Sequence, residues 1–144
     1  MDLSTFIHAD MTRQESFVVE EKHLALHVGS GSAGVLATPA LVALMEITSH
    51  RLLAEHLPAG YSSVGTMVNM RHLAATPLGA RVHIYARVEN VDGWRVNLAI
   101  EAWDEVAGER DKIGECQHER FVIDEARFIK RVEAKRAKLE VSER

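Results

Sequence analysis

A single cysteine in 144 residues, Cys116, leaves no partner for an intramolecular disulfide, a CxxC redox pair or a thiolate zinc site. Such a chain suits a reducing compartment. No apolar run approaches the roughly 20 residues that a membrane-spanning helix needs. The opening MDLSTFIHADMTRQESF lacks the basic region and apolar core of a secretory signal. A soluble, cytoplasmic protein is expected, with no membrane partner. Excess positive charge is missing too: 17 Lys and Arg against 21 Asp and Glu leave a net charge of -4, so nothing electrostatic calls for nucleic acid. There is no internal repeat and no low-complexity linker, and one domain over residues 1–144 is expected. GxSxG, HExxH and P-loop motifs are all absent.

Against these absences stands 47% hydrophobic content, enough for a core without metal or disulfide staples. Glu15 to Val28 reads as strand from its β-branched and alternating apolar positions. Gly29-Ser30-Gly31-Ser32-Ala33-Gly34 follows as a flexible loop. Thr38-Pro39 opens a helix, with the threonine hydroxyl as N-cap and proline in the first turn. The run from Ala40 to Ile47 is apolar nearly all round except for Glu46, the mark of a helix buried on most sides, and it stops near Pro58-Ala59-Gly60. Four strands then succeed one another: Ser63 to Ala74, Arg81 to Val88, Arg95 to Trp103 and about Lys112 to Ile123. Their alternation has period two, and turn signals lie at Val91-Asp92-Gly93-Trp94 and Val106-Ala107-Gly108-Glu109. A charged tail, Glu125 to Lys138, reads as a peripheral helix. One strand, a long buried helix and four hairpin-linked strands predict an α+β fold in which an antiparallel sheet curls around the helix. Such a sheet leaves an unpaired edge, which dimerisation would continue.

Glu46 is the residue most in need of explanation, because a carboxylate among Leu44, Met45 and Ile47 loses solvation unless it is paired. It is either an ion-pair partner at an interface or, the reading favoured here, a general base or the group that orients one. Thr38 has a capping duty to account for it, although a helix N-terminus also suits a polarised carbonyl. Val64-Gly65-Thr66-Met67-Val68-Asn69-Met70-Arg71-His72 puts a glycine and a histidine on one strand. A strand glycine marks a bulge or a close approach, and its N–H suits an oxyanion donor. His72 and Arg71 point to opposite faces. His23 and His27 share a strand face in this reading, and Glu46 and His50 lie one helical turn apart, but neither pair has zinc spacing; no metal is expected. Cys116, between Glu115 and Gln117, reads as a buried, inert thiol.

Ala37-Thr38-Pro39 through Leu44-Met45-Glu46, then Ser63-Val64-Gly65-Thr66, Arg71-His72-Leu73-Ala74-Ala75-Thr76-Pro77 and Gln117-His118-Glu119-Arg120 together resemble the fluoroacetyl-CoA thioesterase-like branch of the hotdog superfamily. The resemblance runs from about Val18 to Ile123. It implies a hotdog fold with a short C-terminal helix, and a thioesterase acting on acyl-CoA or a similar acyl thioester. It also implies a homodimer or dimer of dimers with sites between subunits, and no cofactor beyond the coenzyme A of the substrate. Thr38, Glu46 and His72 would be the catalytic set, Gly65 the backbone oxyanion donor, and Arg120 an active-site or interface arginine. The fluoroacetyl specialist carries bulky aromatics in the loop before the helix. Here that loop is the small Gly29–Gly34 run, so a general short- or medium-chain acyl group is expected. Two other readings compete: a hotdog hydratase or dehydratase, which would pair Asp and His on one helix, and a non-catalytic acyl-thioester or small-ligand binder.

Overall fold

The computed structural model describes residues 1–142. In chain order come a 3₁₀ turn at Leu3–Thr5, β1 (Thr12–Val18), a second 3₁₀ turn at Glu21–His23, the one-turn α1 (Ala25–Val28) and the long α2 (Thr38–Ala54). Then follow β2 (Tyr61–His72), β3 (Arg81–Asp92), β4 (Arg95–Val106), β5 (Glu109–Asp124) and α3 (Glu125–Ser142). The strands form one antiparallel sheet in the order β1-β3-β4-β5-β2. One face of it carries α2, which touches β1, β2, β3 and β4. This is the hotdog arrangement expected from the order of elements.

The period-two positions explain the sheet. Val82, Ile84, Ala86 and Val88 on β3 and Val96, Leu98, Ile100 and Ala102 on β4 are buried together against the helix. The β4–β5 hairpin closes on Ala107 and Gly108, both at positive φ (52° and 80°), as a two-residue turn of the primed kind requires. On α2 the buried positions are Leu41, Leu44, Met45, Thr48, Ser49, Leu52 and Leu53, a stripe of helical period. The two hydroxyls in that stripe stay satisfied by donating to carbonyls one turn back, Thr48 to Leu44 O at 3.0 Å and Ser49 to Met45 O at 2.9 Å. The helix seats on β5 at Gly114, where an added Cβ would come within 3.1 Å of Leu41 and 3.2 Å of Met45. Truncating a leucine as enclosed as Leu41 costs about 2–5 kcal/mol.

One sequence expectation is corrected. Glu15 to Val28 is not one strand: β1 ends at Val18, and Glu21–Val28 is two short helical turns. Local capping outweighs the alternation there, since the Glu20 N–H donates to His23 Nδ1 at 2.9 Å and Gly29, at φ 85°, ends α1 in the left-handed region. His23 and His27 therefore share no strand face. As expected, α2 is buried on most sides. Ala43 and His50 are exposed, and Ile47 keeps 37% of its surface, so one side of the helix faces outward.

At the far end Glu15 bridges Arg13 and Arg51, tying β1 to the last turn of α2. The tail helix α3 is peripheral as expected and starts with Glu125 N–H donating to Gly60 O at 3.0 Å. Among the described residues no helix is long and apolar enough to cross a membrane.

Candidate active site

Thr38 is the first residue of α2, not its cap. The N-cap is Ala37, which makes no side-chain capping bond. Tertiary backbone bonds hold the chain there instead: Leu36 N–H donates to Thr76 O at 2.9 Å and Ala37 N–H to His23 O at 2.8 Å. Thr76 is itself pinned, its buried hydroxyl donating to the buried Asp104 Oδ2 at 2.9 Å. Relieved of capping, Thr38 Oγ1 lies 2.8 Å from Nδ1 of His72 at the end of β2. His72 Nε2 is buried without a hydrogen-bond partner. Burial pushes the His72 pKa below the ordinary imidazole value, so the ring is neutral near pH 7. Beside this pair opens a cleft of about 360 Å³, lined by Ala25, Ser30, Val35, Leu36, Ala37, Leu73, Ala74 and Ala75 together with Thr38 and His72. Volume alone does not single it out, because a cleft of about 430 Å³ lies beside Gln14 and Tyr85. Chemistry distinguishes them: this cleft has a hydroxyl–imidazole contact at the positive end of a long helix.

Glu46 lies eight residues along α2, about 12 Å from Thr38 at 1.5 Å per residue. Its side chain is 41% exposed, not enclosed, and it faces the Arg120 guanidinium, with Nη1 donating to Oε2 at 3.4 Å. Gly65 sits directly beneath that carboxylate. A Cβ there would stand 2.6 Å from Glu46 Oε2, 3.3 Å from His118 Cε1 and 3.5 Å from Arg120 Nη1. Both readings of this glycine hold: the register of β2 against β5 shifts between Gly65 and Met67, a bulge, and the missing side chain makes room for Glu46. Arg120 is 5% exposed and further held by Ser63, its Nε donating to Ser63 Oγ at 2.8 Å and Nη2 to Ser63 O at 3.1 Å.

Within one chain, then, the named residues fall into two groups. Thr38 meets His72, and Glu46 meets Gly65 and Arg120. Gly65 and His72 are separated by about 23 Å of extended strand. Two participants, Ser63 and His118, stand in the motifs of the resemblance but receive no role from the sequence. The available signal was the inward face of β5, where Cys116, His118, Arg120 and Val122 alternate inward and two of the four are polar. Cys116 is buried, and desolvation pushes its thiol up to about 11, a group inert toward substrate near neutrality. Among the described residues no cluster of three or more His, Cys, Asp or Glu has the arrangement of a metal site.

A family model described as fluoroacetyl-CoA-specific thioesterase matches residues 19–126. The fluoroacetyl-CoA thioesterase of Streptantibioticus cattleyicolor is 39% identical over 101 residues, 70% of either chain. A crystal structure of a fluoroacetyl-CoA thioesterase superposes with a TM-score of 0.81 at 32% identity, covering 90% of this chain and 97% of the other. A Thermus thermophilus protein described as a thioesterase superfamily member superposes at 0.85 with 27% identity, covering 94% and 97%. Matched over most of its length, with the threonine–histidine contact and the glutamate over a strand glycine inside the matched region, the chain belongs to the family of fluoroacetyl-CoA-specific thioesterases.

Proposed function

We propose that the chain hydrolyses short- to medium-chain acyl-CoA, or a similar acyl thioester, in a homodimer. Each of its two sites would join Thr38 and His72 of one subunit to Glu46 and Gly65 of the other. The family makes it an acyl-CoA thioesterase. The observation that carries the residue assignment is the 2.8 Å contact between Thr38 Oγ1 and His72 Nδ1 at the mouth of a cleft.

The sheet edges support a dimer. β2 is an edge strand of 12 residues, and Met67 and Val68 near its middle are exposed. Unpaired backbone and apolar side chains together invite a second strand. Antiparallel pairing about a two-fold axis between Val68 and Asn69 sets Gly65 of one subunit opposite His72 of the other. The two half-sites, far apart in one chain, then meet twice.

In the proposed reaction the acyl carbonyl lies between the Gly65 N–H, as oxyanion donor, and the first turn of α2. The Thr38 hydroxyl, held by neutral His72, positions the attacking water. Glu46 takes a proton from that water as its oxygen bonds to the carbonyl carbon, and returns it to sulfur as the C–S bond breaks. No metal enters this scheme, and exhaustive chelation is expected to leave turnover unchanged. Acyl selectivity follows from the cleft: Ala25, Ala37, Ala74 and Ala75 line it, and Gly29–Gly34 carries no aromatic gate. Acetyl-CoA and propionyl-CoA are expected to be hydrolysed about as efficiently as fluoroacetyl-CoA. A panel of acyl-CoAs with free-thiol detection tests this. A preference above about a thousandfold for the fluorinated acyl group, roughly 4 kcal/mol in transition-state binding, would overturn the open-cleft reading. Light scattering that finds only the 16.0 kDa monomer at micromolar concentration would overturn the shared site.

A further inference from the structure

We infer that His118 is a positioning residue: a neutral imidazole with its proton on Nδ1 that locks Arg120 in place, and through Arg120 sets the Glu46 carboxylate over Gly65.

The contacts leave one arrangement of protons. Nδ1 lies 2.7 Å from Met67 O, which only accepts, so Nδ1 carries the hydrogen. Nε2 lies 3.1 Å from Arg120 Nη1, which only donates, so Nε2 offers its lone pair. A protonated ring would set one cation's N–H against another's in a place where His118 is 1% exposed. Burial, the strongest influence, and the Arg120 charge both hold its pKa below the ordinary value, outweighing the Met67 carbonyl and the Glu46 and Glu119 charges.

What the ring holds is equally specific. Ser63 fixes two nitrogens of the Arg120 guanidinium, and the third, Nη1, is shared between His118 Nε2 and Glu46 Oε2. Without an acceptor at Nε2, one hydrogen of Nη1 loses its partner in a buried place, and the direction of the other is no longer set. Its Nδ1–H meanwhile ties down Met67, the first paired residue after the bulge that begins at Gly65. One side chain thus aligns both the carboxylate and the strand beneath it. A positioning role costs rate without costing affinity, because Glu46 acts on water and not on coenzyme A.

This rests on Glu46 acting in hydrolysis as proposed above, and the test separates the two. His118→Phe keeps an aromatic ring but no acceptor; His118→Gln returns an acceptor near the place of Nε2. In folded, dimeric enzyme, His118→Phe is expected to lower kcat by about tenfold to a hundredfold at unchanged KM, and His118→Gln to recover kcat to within about threefold of wild type. Glu46→Gln is assayed alongside. Lost turnover in Glu46→Gln with normal kcat in His118→Phe would overturn the inference about His118 alone. Normal turnover in Glu46→Gln would remove the reading beneath it as well. Equal losses in the Phe and Gln variants would reduce His118 to a packing residue. The wild-type enzyme gives an answer independent of variant folding: imidazole ¹⁵N NMR at pH 7 is expected to show a neutral Nδ1–H ring for His118, and an Nε2–H or charged ring would overturn the inference.

Discussion

Two hydroxyl–imidazole pairs occur among the described residues, and by contact geometry they are nearly twins. Thr38 Oγ1 lies 2.8 Å from His72 Nδ1, and Ser16 Oγ lies 2.7 Å from His83 Nδ1. The second pair even has the better third member. Glu105 Oε1 stands 3.4 Å from His83 Nε2, giving a Ser–His–Glu succession by distance, although neither His83 Nε2 nor His72 Nε2 has a hydrogen-bond partner. The surroundings reverse that ranking. Ser16, His83 and Glu105 come from β1, β3 and β4 on the sheet face turned away from α2, and Arg110 engages Glu105 at 2.9 Å and the Tyr85 hydroxyl at 2.8 Å. The Glu105 carboxylate there is already matched by Arg110. Thr38 and His72 instead line a cleft at a helix N-terminus. A triad-like set of contacts is therefore weaker support for catalysis than a pair that itself lines a cleft at a helix N-terminus.

The sharpest way to break the comparison is to delete each hydroxyl. Thr38→Val is expected to lower turnover by about a hundredfold or more, Thr38→Ser to retain it, and Ser16→Ala to leave it unchanged, all by steady-state thiol release. His72→Ala is expected to match Thr38→Val, with the double variant little worse than either, since groups acting as a unit do not add. Normal turnover in Thr38→Val, or a loss in Ser16→Ala, would reverse the assignment of the two pairs. Next in size comes Gly65→Ala. The atom it would strike is the tip of the Glu46 side chain, which can swing aside, so the protein should fold normally while kcat drops by about tenfold to a hundredfold. For His83→Ala the loss appears in stability, about 1–3 kcal/mol from removing a buried ring and its bond to Ser16, with kcat unchanged in the folded protein.

How far the sequence disclosed this depends on the range of the interaction. The strands β2 to β5 were legible within a few residues because each carries its own alternation, and Glu46 was legible because a carboxylate contradicts its apolar neighbours. Residues 19–28 were misread as strand, since Leu24, Leu26 and Val28 alternate while Glu20 and His23 cap a helical turn. Thr38 read as a cap because its release from capping depends on Thr76, His23 and Asp104, distant in the chain. The separation of Glu46 from His72 within one subunit was likewise beyond a linear reading, which named the set but not its division into halves. His118 hid in plain alternation, two residues before an arginine on the same face of β5.

Acidity gives a smaller contrast. Burial is the leading cause of the lowered pKa at His23, His72 and His118. The unfolded chain therefore binds these protons more readily than the folded one. Their contribution to stability is complete above the ordinary imidazole value near 6.5 and is lost as the pH falls through the lower folded values. Thermal melts are expected to shift downward between about pH 7.5 and pH 5.5, and the acidic limb of kcat/KM set by His72 should lie below 6.5. A limb above 6.5 would mean that the ring is charged when it works, contrary to its burial.

The smallest effect expected is at the chain's one thiol, which extends the comparison from the hydroxyls to sulfur. Cys116 faces inward on β5, two residues from His118, so it lies closer in the chain to the Glu46 group than either hydroxyl does. Proximity would make it the first suspect in a nucleophile search. Its environment removes it: desolvation, the largest cause, pushes its pKa up to about 11, a backbone N–H from Asn69 works only partly against this, and the Glu46 charge reinforces it. Four units above pH 7 leave about one thiolate in ten thousand, and the sulfur's own short contact is spent on the Gln117 carbonyl at 3.4 Å. Cys116→Ser is expected to keep turnover within about twofold of wild type, with any change confined to a stability loss of order 1 kcal/mol from burying a hydroxyl in place of sulfur. Iodoacetamide at pH 7 should leave both the thiol and the activity intact in the folded protein, and should modify the thiol once the protein is unfolded in denaturant. Rapid alkylation of folded enzyme with parallel loss of hydrolysis would place the working nucleophile on β5 and take the chemistry away from Thr38.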